Sequence, residues 1–211
     1  MIYNKFSYIF PPRPKNAANP VDIIKYDNGS LMGQIKSNGS NSLIFTNGRE
    51  FHVYNRHGEK LTNFKLDKEE ILDNLYNLSD NKWLCINSEY LNKNKNDETG
   101  NSFNHKLLIF DILVYDSDYL LGRSFLDRDK LLDDLYGKEE CEKEYLYKIS
   151  ENIYRVKTYE TGFSELYNKY SKIDLIEGLV LKRKTGKLEI GTEPCKSMMV
   201  KFRKPTKNYQ C

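Results

Sequence analysis

Residues 31–54 read LMGQIKSNGSNSLIFTNGREFHVY, and this stretch indicates the kind of fold. Apolar residues alternate loosely over 31–37, run together over 42–46 and recur over 51–54, which predicts three short β-strands. Asn47-Gly48 lies between the last two strands. Asn-Gly is a strong hairpin signal, because a type I′ turn needs a positive φ at both central residues. The stretch therefore predicts antiparallel strands joined by tight turns.

Further along the chain, the pattern predicts short strands mixed with helices. Strands are predicted over 82–91, 106–115, 145–159, 176–184 and 198–204, and helices over 66–78, 127–136 and 160–171. Asp67 is the expected N-cap of the first helix, and Gly137 the expected end of the second. Residues 92–104, rich in Asn and Lys, are expected to form a mobile loop. Residues 1–20 are expected to form an extended lead-in, because four of the six prolines lie in this part of the chain.

The order of elements favours an α+β fold with mostly antiparallel sheets and flanking helices. We find neither an internal repeat nor a linker in the sequence, so a single domain spanning residues 1–211 is expected. The segment over 182–207 is basic although the net charge is only +3, and this permits an anionic partner.

The composition excludes several classes of protein. With 13% aromatic residues, including 16 Tyr, the chain is too aromatic to be disordered. No apolar run reaches the length of about 18 residues that a membrane span needs, and the N-terminus does not resemble a secretory signal. The cysteines are widely spaced, which predicts reduced thiols rather than a zinc site, and a cytoplasmic location is expected. They are Cys85, Cys141, Cys195 and Cys211.

Residues 34–41, QIKSNGSN, are the segment from which a function can be inferred. The segment reads as a strand that ends in Lys36, followed by a tight polar turn with Gly39 three residues later. Asn38-Gly39 can adopt unusual backbone angles and lets a phosphate approach closely. Taken alone, the segment would be an ordinary surface turn. Lys25 lies in a similar stretch, KYDNG, but its glycine is four residues later and the fit is poorer.

Five further segments follow this turn in a fixed order. They are YNRHGE at 54–59, SEY at 88–90, IFDIL at 109–113, EGLVLK at 177–182 and MVKFRK at 199–204. Together with KSNGSN they resemble the motifs of the covalent nucleotidyltransferase superfamily, which contains ATP-dependent polynucleotide ligases and mRNA capping enzymes. The resemblance covers about residues 20–205 and implies the ATP-grasp-like adenylation core of that superfamily. The turn K-x-N-G-S-N is more similar to that of phage-type RNA ligases than to the K-x-D-G-x-R of most DNA ligases.

The resemblance implies a covalent reaction at Lys36. Its amine would attack the α-phosphate of ATP and carry AMP as a lysyl-AMP intermediate. A lysine attacks as the neutral amine, whereas the pKa of free lysine is about 10.4. Neighbouring cations and partial desolvation favour the neutral form. The resemblance places Lys182 and Lys201 beside Lys36, where they would also neutralise phosphate charge.

The resemblance also assigns roles to other residues. The residues that would contact the nucleotide are Gln34, Ile35, Lys182, Lys201 and Arg203. Arg56 would contact the nucleotide phosphate, Glu89 would bind the ribose, and Phe110 would stack on adenine. Glu177 would act with magnesium near the reaction centre, Asn41 would assist sealing, and Lys204 would contact the nucleic acid. Each residue has a simpler structural interpretation, such as a core side chain for Phe110.

Two features depart from the motif pattern. The last motif usually holds two lysines around one residue, whereas here Arg203 is second and Lys204 follows, which leaves the register open by one position. Glu177 and Lys182 are five residues apart. Since side chains alternate along a strand, a bulge or a strong twist is expected to bring both to one pocket.

The sequence favours an ATP-dependent polynucleotide ligase that uses ATP and magnesium. AMP would move to a 5′-phosphate, and a 3′-hydroxyl would then attack and release AMP. Asn41 favours RNA strands, and DNA or an RNA–DNA hybrid is the alternative. A non-catalytic nucleic-acid-binding domain and a capping guanylyltransferase stay open.

No OB-fold domain is expected, because seven residues follow Lys204 whereas DNA ligases and capping enzymes continue into such a domain. The protein is therefore expected to be a lone catalytic domain or a component of something larger. A monomer is expected, with a nicked or broken nucleic acid duplex as its partner. An accessory protein or domain could act in trans.

Overall fold

A computed structural model describes residues 1–79, 81–137, 139–141, 143–192 and 198–205. Its strands are β1 (Asn16–Ala17), β2 (Leu31–Ser37), β3 (Ser40–Thr46), β4 (Phe51–Tyr54), β5 (Leu84–Tyr90), β6 (Leu107–Tyr115), β7 (Asp118–Tyr119), β8 (Glu139–Glu140), β9 (Leu146–Lys148), β10 (Ile153–Val156), β11 (Thr158–Tyr159), β12 (Ile176–Arg183) and β13 (Met199–Arg203). Its helices are α1 (Lys68–Leu75), α2 (Phe125–Tyr136), α3 (Phe163–Tyr170) and a 3₁₀ helix over Pro20–Tyr26. The predicted Cys195 and Cys211 thiols lie outside the described residues.

Two sheets form the body of the protein. The smaller has the strand order β1-β13-β12-β2-β11, and the larger has the order β4-β3-β5-β6-β10-β9-β8, with β7 paired to β6. Within the described residues, the parallel pairs are β1 with β13 and β6 with β10, and the other pairs are antiparallel. The predicted α+β fold with mostly antiparallel sheets is confirmed. The described part of the chain holds no separate OB-fold domain.

One hydrophobic core packs against the larger sheet, and a second core joins the smaller sheet to strands β6, β9 and β10 of the larger one. The core of the larger sheet contains Leu43, Trp83 and Ile109, with Ile71 of α1 packed among them. The core of the smaller sheet contains Ile35, Leu179 and Phe202, with Phe163 of α3. Consecutive strands β2 and β3 belong to different sheets, so the turn between them joins the two. The Lys36–Asn41 segment is thereby placed where both sheets meet.

The helices begin close to their predicted positions. Asp67 is the N-cap of α1, and its side chain accepts a hydrogen bond from the Glu69 amide at 3.0 Å. Helix α2 begins at Phe125 rather than at residue 127, because Ser124 and Asp127 form a reciprocal capping box. It ends at Gly137 as predicted. No helix of the described residues is both long and apolar enough to cross a membrane.

The segment over 92–104 is held more firmly than the sequence predicted. Lys143 donates to Asp97 at 2.7 Å, and Lys95 donates to Asp174 at 2.8 Å. Phe103 is buried in the core of the smaller sheet. The Asn- and Lys-rich composition gives no sign of these contacts, because their partners are distant in sequence.

Candidate active site

A cavity lined by both sheets contains most of the residues that the motifs predicted. The smaller sheet contributes β2, β12 and β13, and the larger sheet contributes β3, β5, β6 and β10. The predicted residues that line the cavity are Gln34, Ile35, Lys36, Asn41, Arg56, Glu89, Phe110, Lys182, Lys201 and Arg203. Two predicted residues, Glu177 and Lys204, are not part of this lining. The ordered motifs, which are up to 169 positions apart in sequence, therefore converge on one place.

The pairing of β2 with β12 fixes the position of Lys36. Lys36 is opposite Gly178, and Gln34 is opposite Val180. Side chains of directly opposite residues lie on the same face of an antiparallel pair. The register shifts between Ile176 and Gly178, so the bulge expected from the five-residue spacing of Glu177 and Lys182 is present.

Gly178 makes this bulge possible. Its φ of +151° lies in a region that side chains with a Cβ rarely adopt. A Cβ on this residue would lie 1.9 Å from the Phe202 carbonyl oxygen of β13. The close approach of the two backbones therefore requires glycine. Glu177, the preceding residue, is held where its carboxylate reaches Lys36.

Glu177 joins two cations at one end of the cavity. One of its carboxylate oxygens contacts Lys36 Nζ, and the other lies 3.1 Å from Arg203 Nη2. Burial lowers the pKa of Lys201, and the nearby charges of Arg203 and Lys36 lower it further. We call the group formed by Lys36, Arg56, Glu177, Lys201 and Arg203 the cationic end. Its four positive groups outnumber the carboxylates of Glu177 and of the neighbouring Glu89, so this end has a net positive charge, which suits a chain of phosphates.

The structure resolves the register of the last motif. Lys201 and Arg203 line the cavity, whereas the Lys204 amine donates to the Ile173 carbonyl oxygen at 2.8 Å. Alternation along β13 places the first two on one face and Lys204 on the other. The two basic positions around one residue are therefore Lys201 and Arg203. Lys204 lies against Ile173 rather than in the cavity.

The turn after β2 is held against β5. The Gly39 amide donates to Glu89 Oε1 at 3.0 Å. Burial raises the pKa of Glu89, while the charge of Lys36 and the bond from Gly39 oppose the rise. Neither Asn38 nor Gly39 has a positive φ, so the expected unusual backbone angles are absent from this turn. Glycine is needed here for a different reason, because a Cβ on Gly39 would lie 2.5 Å from the Tyr90 carbonyl oxygen.

Asn41 presents an acceptor at the same part of the cavity. Its amide nitrogen donates to Asn87 Oδ1 at 2.8 Å and to the Ser88 carbonyl oxygen at 3.1 Å. Its amide oxygen is buried and has no hydrogen-bond partner among the described residues. Since buried polar atoms in proteins are usually paired, this oxygen suits a donor that arrives with a ligand.

Lys182 lies at the other end of the cavity. Its buried amine donates to the Phe110 carbonyl oxygen at 3.1 Å and lies 4.9 Å and 4.3 Å from the ring centroids of Phe110 and Phe125. Burial lowers the pKa of Lys182 to about 8, although Asp111 opposes the change. In the register of the sheet, Lys182 is opposite Met32, four residues from Lys36.

The expectation that Lys182 lies beside Lys36 is therefore wrong. Four residues along a strand correspond to about 13 Å. The charges that act on the Lys182 pKa belong to Asp111, Arg128 and Asp129, and Lys36 is not among them. Lys182 belongs instead to the end of the cavity opposite the cationic end. We call this opposite end the base end and define it by Gln34, Phe110, Thr158 and Lys182. Within it, Gln34 Nε2 donates to Thr158 Oγ1 at 3.0 Å.

The N-terminal segment forms a wall that the sequence did not predict. Tyr8 donates to the Asn55 carbonyl oxygen of the larger sheet's edge, and β1 pairs with β13 of the smaller sheet. Residues 11–14 between them, PPRP, line the cavity, and Lys201 donates to the Pro14 carbonyl oxygen at 3.3 Å. Arg13 adds a further cation to the lining. The prolines fix φ, so this wall has little backbone freedom to lose on binding.

The residues present fit a magnesium ion only together with a nucleotide. The described residues contain no group of three or more His, Cys, Asp or Glu side chains that could hold a metal. Magnesium is commonly bound by one or two carboxylates together with substrate phosphates and water. Glu177 at the cationic end supplies one such carboxylate. It would hold the ion jointly with phosphates.

Searches with the sequence match no protein family model and no curated protein. Solved structures do match. The mycobacterial DNA ligase D complexed with ATP and MES has a TM-score of 0.65 and 16% identity, over 94% of this chain and 62% of that chain. The ligase domain of M. tuberculosis LigD has a TM-score of 0.64 and 18% identity, over 94% of this chain and 61% of that one. This chain has the fold of a ligase adenylation domain.

The match extends to a smaller protein of the same kind. A Lig E DNA ligase, described as binding DNA with a minimal scaffold, has a TM-score of 0.52 and 14% identity, over 92% of this chain and 70% of that one. The resemblance inferred from the motifs is thus confirmed at the level of the adenylation-domain fold. The chain spans less than two thirds of the length of the first two structures.

Proposed function

We propose that this adenylation domain is an ATP-dependent polynucleotide ligase. The observation that carries the proposal is the cationic end, where Lys36 lies beside Glu177 among Arg56, Lys201 and Arg203 in a cavity between two sheets. A lysine in such a place can act as a nucleophile on a phosphate whose charge its neighbours neutralise. The mycobacterial ligase with the same fold is described as complexed with ATP, which supports nucleotide binding in this cavity.

In the first step, the Lys36 amine would attack the α-phosphate of ATP. A nitrogen–phosphorus bond forms, the bond to the pyrophosphate oxygen breaks and pyrophosphate leaves. The attacking nitrogen gives up a proton to water, and AMP stays on the lysine. Lys201 and Arg203 would bind the phosphate oxygens, while Glu177 orients the amine through the contact seen in the structure. Magnesium bound by Glu177 and the phosphates would neutralise further charge.

In the later steps, AMP would pass to a 5′-phosphate, and a 3′-hydroxyl would then displace it. The unpartnered amide oxygen of Asn41 supports a role in this sealing step, because it can accept a hydrogen bond from the 3′-hydroxyl and orient the hydroxyl for attack. RNA is the strand that we propose from Asn41. A DNA nick or a hybrid is the alternative, and the matched ligases described above are DNA ligases.

The base end supports ATP as the nucleotide. The Gln34 amide oxygen is buried without a partner among the described residues and can accept from the amino group of adenine. Phe110 lines the cavity as a half-buried ring on which a base could stack. Glu89, held by the Gly39 amide, is placed to bind the ribose.

Incubation with α-labelled ATP or GTP and magnesium tests the proposal. An adduct that forms with ATP, resists base and is lost in acid is the expected result. Nicked RNA, DNA and hybrid duplexes, offered to the labelled protein, then identify the strand. An adduct with GTP alone would indicate a capping guanylyltransferase. Absence of an adduct, with binding to nucleic acid retained, would leave a non-catalytic binding domain.

A further inference from the structure

The Gln34 side chain is held in one orientation by two acceptors. Gln34 is 3% exposed, and Thr158 is its direct partner across the β2–β11 pair. Its amide nitrogen donates to Thr158 Oγ1 at 3.0 Å and to the Phe110 carbonyl oxygen at 3.4 Å. A carbonyl oxygen can only accept, so the Phe110 contact already favours the nitrogen on this side.

Thr158 is made an acceptor by Asp129. A hydroxyl has one proton to donate, and Thr158 donates it to Asp129 Oδ1 at 2.8 Å. An ionised carboxylate is a stronger acceptor than an amide oxygen, so the hydroxyl proton of Thr158 points to Asp129 rather than to Gln34. The Thr158 oxygen can therefore only accept from Gln34.

Asp129 is in turn fixed by a buried arginine. Arg155 Nη2 donates to Asp129 Oδ1 at 3.2 Å and to the Asp129 carbonyl oxygen at 3.3 Å, and its other nitrogen contacts Asp133. Arg155 is 1% exposed. Asp129 and Asp133 belong to α2, so the orientation of a cavity side chain depends on a helix outside the cavity lining.

The fixed orientation of the Gln34 side chain determines what its amide oxygen can bind. Rotation of the amide by half a turn would set this oxygen against the Phe110 and Thr158 oxygens. Thr158 Oγ1 would lose its donor, while the Phe110 carbonyl oxygen would keep only the Lys182 amine. In the observed orientation, the oxygen is the group left for a ligand, and it requires a donor. At C6 of the purine ring, adenine carries an amino group, whereas guanine carries a carbonyl oxygen.

We propose that Asp129 and Thr158 are positioning residues that set the base selectivity of the cavity. By fixing the Gln34 amide, they make the cavity accept a purine with an amino group at C6 and reject one with a carbonyl oxygen at C6. This inference rests on the proposed function, since it concerns the nucleotide of the same cavity. It adds two residues that do not touch the base.

Three variants test the relay. Thr158→Val keeps the shape and removes the acceptor. Asp129→Asn removes the negative charge that makes residue 129 the stronger acceptor of the Thr158 proton, which weakens the preference for one orientation of the Gln34 amide. Thr158→Ser keeps the hydroxyl and is the matched control. Melting temperatures establish that each variant is folded.

The readout is the ratio of ATP to GTP in covalent labelling, together with the shift in melting temperature that each nucleotide produces. We expect the ATP-to-GTP ratio to fall about ten-fold or more in Thr158→Val and Asp129→Asn and to stay unchanged in Thr158→Ser. Purine riboside triphosphate, which lacks the amino group, should bind more weakly than ATP to the wild-type protein and about as well as ATP to Thr158→Val.

Folded Thr158→Val and Asp129→Asn proteins that keep the wild-type ratio would overturn the relay. Absence of a covalent adduct in the wild-type protein would overturn the proposed function instead, and the melting shifts would then decide the relay alone. Equal shifts with ATP and GTP in the wild-type protein would overturn the relay as well.

Discussion

At the cationic end, the side chains of Lys36 and Glu177 are 21% and 22% exposed, whereas at the base end Gln34 and Lys182 are 3% and 4% exposed. The partly exposed pair can exchange its partners for phosphates at small cost, because water already shares the solvation of these charges. The buried groups are bonded within the protein and cannot rearrange as cheaply. Substitutions at the cationic end should therefore affect the rate of adduct formation more than stability, and substitutions at the base end should affect nucleotide selectivity and stability.

The largest effect is expected at the cationic end, from Glu177→Gln. The variant keeps the shape but loses the charge that holds Lys36 and Arg203. We expect adduct formation with ATP to fall about 100- to 1,000-fold, with the free energy of unfolding changed by less than about 1 kcal/mol. Single-turnover labelling measures the rate of adduct formation, and urea denaturation measures the free energy of unfolding. Exposed Glu165→Gln on α3 is the control. A loss of stability as large as the loss of rate would remove the distinction between the two ends.

Gly178→Ala tests whether the bulge places Glu177. The added Cβ would meet the Phe202 carbonyl oxygen at 1.9 Å, and the φ of +151° is unfavourable for alanine. We expect the free energy of unfolding to fall by about 3 kcal/mol, measured by urea denaturation. Gly29→Ala is the matched control, because its φ is also positive but nothing lies within 4 Å of the new Cβ. Equal losses in the two variants would show that strain in φ, rather than the contact with β13, is responsible.

Local patterns were enough to predict much of this site. The strands that carry Lys36 and Asn41 follow from alternation and turn residues within one short stretch, and the bulge follows from the spacing of Glu177 and Lys182. The place of Lys182 could not be predicted, because it depends on the pairing of Lys182 on β12 with Met32 on β2, two residues that are 150 positions apart in sequence.

Contacts between distant segments were also beyond the sequence. The bond of Thr158 to Asp129 joins β11 to α2, and neither residue belongs to a motif. The N-terminal wall was predicted only as an extended lead-in, although its run of prolines around Arg13 signals a fixed backbone. Such contacts depend on how the elements pack, and composition alone does not specify packing.

Lys182→Met tests the base end through pH. The folded-state pKa of Lys182, about 8, is lower than the ordinary 10.5, so the unfolded chain binds more protons between these values. The stability of the wild-type protein relative to Lys182→Met should therefore rise from pH 8 to pH 10.5, by up to about 3 kcal/mol. Urea denaturation of both proteins across this pH range measures the difference in their free energy of unfolding. Exposed Lys25→Met should not reproduce the increase, and a pH-independent difference for Lys182→Met would contradict the account.

The smallest effect is expected from Asn41→Ala, which should separate the two chemical steps. Enzyme labelling with ATP should be nearly unchanged, while sealing by pre-labelled protein should slow about ten-fold, because one hydrogen bond to the strand is lost. Single-turnover assays on RNA and DNA nicks measure both steps. Asn92→Ala is the matched control, since its amide oxygen is also buried without a partner among the described residues but does not line the cavity. Equal sealing rates for the wild-type and Asn41→Ala proteins would exclude Asn41 from the sealing step and would remove the reason for preferring RNA.

The most direct test of the central claim is to find which lysine carries the nucleotide. Protein incubated with ATP and magnesium should gain the mass of one adenylyl group, and peptide mapping should place it on Lys36. Lys36→Ala should gain none, whereas Lys25→Ala should match the wild-type protein. An adduct on Lys182, the buried lysine with a pKa of about 8, or an adduct that persists in Lys36→Ala, would contradict the account.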